Sequence, residues 1–212
     1  MKLYANEVSS ATSRVKIALA LKGLAVEIEP VTIFGEAAES RQARYRAINP
    51  QGLVPALQTD TGELITQSLA IIEYLDERYR TPPLLPADPE DRAFARAIAL
   101  SIAAEIHALL PPRVAARLST IPGMDAEGVA AWARHWVDVG FCAIEERLAA
   151  RRTGRFVVGD VPTVADIYLF PQAIGAGRMG FDVAQRWPHI AAIVAALHDV
   201  PAFALNAPAP RT

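Results

Sequence analysis

Cysteine is almost absent from this sequence. Cys142 is the only one among 212 residues, which rules out an internal disulfide and any Cys-x-x-Cys dithiol redox centre. Histidine is sparse too: His107, His135, His189 and His198 stand apart, without the short His or Cys spacing of a metal site, so no metal is expected. No apolar run approaches the ~18 residues of a membrane-spanning helix. The opening MKLYANEVSS lacks the apolar stretch of a secretory signal and reads as a first strand. A large excess of either charge is also missing. With 21 basic and 23 acidic residues the net charge is −2, which provides no global field for nucleic acid or anionic lipid. These absences point to a cytoplasmic chain with no nucleic-acid or membrane partner. What is present suits a globular protein: 52% apolar and 21% charged residues can bury a sizeable core in one or two domains.

The first 80 residues alternate strand-like and helical patterns. Lys2 to Tyr4 is a short strand. Ser10 to Lys22 repeats Val15, Ala18, Leu19 and Leu21 near helical spacing and stops at Gly23. Ala25 to Val31 alternates Val26 and Ile28 with Glu27 and Glu29, the period of a half-buried strand. Strand, helix, strand within about thirty residues is a βαβ unit with parallel strands. A weaker helix is expected from Glu36 to Ala47, ended by Asn49-Pro50. Pro55 to Thr59 and Glu63 to Thr66, joined by Asp60-Thr61-Gly62, form a hairpin, and Ser68 to Tyr79 a third helix.

Residues 80–89 hold four prolines, a stiff non-helical linker and a natural domain boundary. Beyond it the pattern is helical, apart from a short strand-like Phe156-Val157-Val158. Phe94, Ile98, Ile102, Ile106 and Leu109 mark one face of a long helix that Pro111-Pro112 interrupts. A second long helix carries Val129, Trp132, Trp136, Val139, Ala143 and Ile144, with both tryptophans and Cys142 expected in the core. Helices follow near Val164 to Ala176 and Trp187 to Val200. Thr163-x-x-Asp166 has the form of a capping box, a folding device. Arg151-Arg152 complements a helix dipole at its C-terminal end.

Three places carry chemistry. Ser9-Ser10 sits where the first strand meets the first helix, and an N-terminus with unpaired N–H groups favours an anion. A free thiol has a pKa of about 8.5; lowering it by two units takes about 2.7 kcal/mol, within reach of a dipole and one or two hydrogen bonds to the thiolate. Capping of the helix by either serine is the plainer role. Val54-Pro55 places a proline in a strand-like run, explained either by an edge position or by a cis peptide that frees the Val54 backbone to pair with an extended peptide. Gln67-Ser68 precedes the third helix, where Ser68 is a natural N-cap and the same terminus could hold a carboxylate.

SSATSRVKIALALKG, NPQGLVPAL, QSLAIIEYLDERY and GDVPTVADIYLFPQ, in this order, resemble the soluble glutathione transferases along nearly the whole chain. The likeness is greatest to the zeta class, which includes maleylacetoacetate and maleylpyruvate isomerases. The resemblance implies an α/β thioredoxin-like N-terminal domain over 1–80 that binds glutathione, a linker over 81–89, and an all-α C-terminal helical bundle over 90–212 that forms the electrophile pocket. It makes Ser9 the thiolate-stabilising serine, with Ser10 beside it. Val54, ahead of cis-Pro55, would pair with the cysteinyl part of glutathione, and Gln67 and Ser68 would hold its γ-glutamyl group. His107 would be a polar residue of the cleft, while Arg113 and Arg178 would receive substrate carboxylates; both arginines also suit surface ion pairs. Three positions depart from the class: Ala11 stands where a cysteine is usual, Val8 where maleylpyruvate isomerases have arginine, and Ser13 where an aromatic or histidine is common. The expected activity is a glutathione transferase attacking a small electrophile. A glutathione-dependent cis–trans isomerase is the alternative, and a non-catalytic glutathione-binding or protein-interaction module is a third. A homodimer is expected from the same resemblance.

Overall fold

The computed structural model describes residues 1–35 and 37–210. Two compact units divide the chain: Met1–Leu84 joined by the segment from Leu205 onward, and Leu85–Ala204.

In the first unit, β1 (Lys2–Ala5), α1 (Ser10–Leu21) and β2 (Glu27–Pro30) form the expected βαβ, with β1 and β2 parallel. β3 (Ala56–Gln58) and β4 (Leu64–Thr66) form the hairpin, and α3 (Ser68–Arg78) follows. The strand order is β2-β1-β3-β4, with β3 antiparallel to β1. Leu3 and Leu57 pair across the central strands and are fully buried, as are Val15, Ile17 and Ala18 of α1 and Ile71 and Leu75 of α3. Ile28 lies on the edge strand β2 and is 42% exposed, so the alternation in Ala25 to Val31 does not make it a core residue. Gly62 takes φ +87° in the hairpin turn, a conformation that suits glycine.

The helix expected from Glu36 to Ala47 is replaced by a 3-10 turn, Glu39–Arg41, and a single helical turn, α2 (Ala43–Arg46). Its expected start, Glu36, lies outside the described residues. A reciprocal pair captures the chain first: Glu39 N donates to Thr32 Oγ1 at 2.9 Å, and Thr32 N donates to the Glu39 carboxylate at 2.8 Å. Gln42 is then extended, at φ −77° and ψ 151°, which separates the two turns.

The second unit holds α4 (Pro89–Leu100), a π-helical segment (Ser101–Ile106), a 3-10 turn (His107–Leu109), α5 (Pro112–Leu118), α6 (Ala126–Arg151), α7 (Val164–Arg178), α8 (Val183–Arg186), α9 (Pro188–His198) and α10 (Pro201–Ala204). Phe94, Ile98, Ile102 and Ile106 are all buried. Steps of four overrun an α-helical turn, and the wider i→i+5 winding of the π segment returns them to one face. By length and hydropathy Pro89–Leu118 could cross a bilayer, with a window of mean hydropathy 1.6; a third of that window is buried within the unit, and its winding passes from α to π to 3-10 and back to α. α7 is buried on every side from Val164 to Ala173, the mark of a central helix.

Two expectations fail here. Phe156-Val157-Val158 is not a strand: Phe156 N donates to Gly159 O and Val157 N to the Asp166 carboxylate, so its backbone is spent locally. The apolar stripe read on α6 is only partly its buried face. Of that stripe Ile144 alone is fully buried, and the bundle packs it together with Val137, Phe141 and Leu148. Val139 is left 49% exposed, and Ala143 is exposed. Trp132 and Trp136 are half-buried, edge to face at 5.6 Å, with Trp132 Nε1 donating to Leu109 O. Cys142 is also half-buried, its sulfur 3.5 Å from Trp187 Nε1.

Candidate active site at one end of the sheet

Sheet register gathers the three chemical motifs. Tyr4 of β1 pairs with Ala56 of β3, and Ala56 with Thr66 of β4. The loop leaving β1 toward Ser9, the Val54-Pro55 entry to β3 and the Gln67-Ser68 exit from β4 therefore share one end of the sheet.

Asn6 shapes the first of these places. Its side-chain amide donates to Val31 O at 2.9 Å, and its side-chain oxygen accepts from Val8 N at 3.1 Å. Its own carbonyl accepts from Ser9 N at 3.0 Å. An asparagine that turns the chain this way leaves Ser9 in extended geometry as the N-cap of α1. Ser9 Oγ accepts from Thr12 N at 3.2 Å, and Ser10 is the first helical residue; both are half-buried. The capping reading of Ser9 is thus realised. It does not exclude the other role, because a hydroxyl that accepts from the helix still has its proton to donate outward.

Val54-Pro55 is a cis peptide just before β3. The preceding residue is pinned: Leu53 O accepts from Tyr45 Oη and from Asn49 Nδ2, each at 2.7 Å. Burial pushes the Tyr45 hydroxyl up to about 12, so it stays a donor. Gly52 has φ +63°, and a Cβ there would come within 2.6 Å of Ser40 O, so this approach requires glycine.

Gln67, not Ser68, is the N-cap of α3, and Ser68 is its first helical residue, which corrects the expected capping role. Gln67 has φ +69°, a left-handed backbone that costs about 1–3 kcal/mol outside glycine. Its side chain makes no capping bond and instead donates to Gln51 Oε1 at 2.9 Å. Gln67 therefore gives the α3 terminus no cap from its own side chain, and a strained residue stands at the entrance of the helix. A bound carboxylate would satisfy such a terminus.

Six of the expected residues, Ser9, Ser10, Val54, Pro55, Gln67 and Ser68, thus lie at this end of the first unit. His107, Arg113 and Arg178 belong to the second unit: His107 is half-buried at the start of the 3-10 turn after the π segment, and Arg113 on α5 and Arg178 at the end of α7 are exposed. Sequence reasoning missed Asn6, Tyr45, Asn49 and Gln51. Asn6, directly after a strand, carried a readable turn signal; the other three act through tertiary contacts.

Residues 3–83 match the model of the glutathione S-transferase N-terminal domain. A maleylacetoacetate isomerase of Pseudomonas aeruginosa is 44% identical over 211 residues, covering 99% of this chain and 96% of the relative. A holo structure of a maleyl pyruvate isomerase, described as a bacterial glutathione S-transferase of the zeta class, superposes with a TM-score of 0.92 at 39% identity, covering 100% of this chain and 98% of that one. A maleylacetoacetate isomerase of Methylobacterium extorquens, with bound malonate and glutathione, has a TM-score of 0.94 at 37% identity over 100% and 98% of the two chains. The chain belongs to the glutathione S-transferase family, on its zeta-class branch. It is an enzyme of a family with a thioredoxin-like first domain and a helical second part.

Proposed function

We propose that this protein is a glutathione-dependent cis–trans isomerase of a maleyl-type dicarboxylate, maleylacetoacetate or maleylpyruvate. The observation that carries it is the convergence of Ser9, the Val54-Pro55 turn and the Gln67-Ser68 start of α3 at one end of the sheet. Identity to isomerases along almost the whole chain favours isomerisation over conjugation, which reverses the order of the two activities expected from the sequence. A pure protein-interaction scaffold has no need for the full glutathione set.

When bound, glutathione supplies a thiolate that adds to the conjugated cis double bond, allows rotation about the resulting single bond, and is expelled unchanged. Ser9 holds the sulfur by donating its hydroxyl proton, with the α1 terminus adding its partial positive charge. Ser10 lies beside it. The Val54 backbone pairs with the cysteinyl segment, and Gln67 and Ser68 hold the γ-glutamyl carboxylate and amine. His107 contributes a polar contact, and Arg113 and Arg178 clamp substrate carboxylates. Val8 supplies no cation, which favours a substrate that does not need one there. The working assembly is a homodimer.

Purified protein is mixed with glutathione and, separately, with maleylpyruvate, maleylacetoacetate and a chloronitrobenzene. The expected result is loss of the cis-acid absorbance while total thiol stays constant. Stoichiometric thiol consumption would select conjugation, and glutathione binding without turnover of any substrate would select the non-catalytic module.

A further inference from the structure

The thiolate loop is held from an unexpected quarter. Ala209 N donates to Glu7 O at 2.8 Å, and Ser13 Oγ donates to Asn206 O. Glu7 lies two residues before Ser9, and Ser13 lies one helical turn after it, with its amide bonded to Ser9 O at 2.9 Å. The two contacts therefore bracket the proposed catalytic hydroxyl on both sides. Pro208 is buried, Ser13 is 3% exposed, and prolines at 208 and 210 reduce the freedom the segment must give up on docking. Asn6 anchors the same loop to the end of β2, and Lys16 Nζ reaches the Glu7 carboxylate at 2.8 Å. Of these supports, the tail alone comes from outside the βαβ unit.

We infer that the segment Asn206–Ala209 is a positioning strap for the thiolate site, setting where the Ser9 hydroxyl points through Glu7 O and Ser13. The inference rests on the proposed role of Ser9. A hydroxyl that must meet a sulfur tolerates only a few tenths of an ångström of displacement. A loop freed on one side keeps its fold, because Asn6 remains, but no longer fixes the donor. The strap thus acts on the thiol and on turnover, and hardly on stability or on the binding of glutathione through α3.

Ala209→Pro deletes the donor to Glu7 O, and Ser13→Ala deletes the donor to Asn206 O. Ala209→Gly keeps the amide and serves as the conservative control. The measurements are the pKa of enzyme-bound glutathione, followed by thiolate ultraviolet absorbance against pH, together with kcat and the glutathione KM in the isomerase assay. In each donor-deleting variant the bound thiol should titrate closer to its free value and kcat should fall about tenfold, with KM within about twofold. Ala209→Gly should behave as the parent. Parental thiol pKa and kcat in both donor-deleting variants would overturn the strap while leaving the isomerase assignment standing. So would activity lost only in proportion to unfolded protein, with the thiol pKa unmoved. A parent chain that binds no glutathione would remove the functional reading itself, and the strap with it.

Discussion

Under the proposed function one hydroxyl does two things. Ser9 accepts from Thr12 N and keeps its proton for sulfur. Replacing Ser9 with alanine should therefore cost about 1 kcal/mol of stability through the lost cap and lower kcat by about ten- to a hundredfold, whereas Ser9→Thr should retain most of both. Thermal unfolding and steady-state kinetics on the two variants check this. Asp166 offers a pH-dependent case. It is fully buried at the start of α7, and burial pushes its carboxyl up to about 6, although Thr163 N, Thr163 Oγ1 and Val157 N donate to it at 2.8, 2.9 and 2.9 Å. In the unfolded chain it titrates near ~3.9. Below that value both states carry the proton. Between about 4 and 6 only the unfolded state releases it, so stability falls as pH rises through this window and levels off above it, by at most about 2–3 kcal/mol. Asp166→Asn should flatten that slope in denaturant midpoints measured from pH 4 to 7.

At the scale of elements, the thioredoxin-like unit was readable because its signals are local. Strand alternation, the turn Asp60-Thr61-Gly62 and the stop at Gly23 all lie within the element they define. The short α2 was not readable, because a pair between Thr32 and Glu39, seven residues apart, outweighs weak helical preference. α6 was read only partly on its buried face, sharing Ile144 with it, because its 26 residues carry two overlapping apolar stripes and periodicity cannot say which one the bundle covers. Phe156-Val158 has the composition of a strand, but among the described residues it pairs with none. The site divided in the same manner. Ser9, Val54-Pro55 and Gln67-Ser68 were visible as motifs, whereas the left-handed backbone of Gln67 and its bond to Gln51 depend on contacts that sequence spacing does not encode.

At the scale of the molecule, one buried cation secures the unit boundary. Lys22 closes α1, and its side chain is wholly buried. Its ammonium meets Asp76 Oδ1 and Tyr79 O at 2.6 Å each and also Pro82 O, while Asp76 Oδ1 accepts from Leu84 N. All of its partners lie at the end of α3 or in the proline-rich segment that follows. Lys22→Met would keep the volume and remove the ammonium, leaving the Asp76 carboxylate without its countercharge and the Tyr79 and Pro82 carbonyls without this donor. A loss of about 3–5 kcal/mol is expected in chemical denaturation, with faster proteolytic cleavage around residues 79–84.

The strap also carries a consequence for biosynthesis. Ser13 and its partner Asn206 are 193 positions apart in the chain. The ribosome delivers the thiolate loop early and the segment that braces it late, so the first unit can fold around its own sheet long before that brace exists. A nascent chain stalled within the helical unit would carry a folded glutathione-binding surface whose loop is still unbraced. Full reactivity would then arrive only after the bundle has been made and residues 206–209 have followed it.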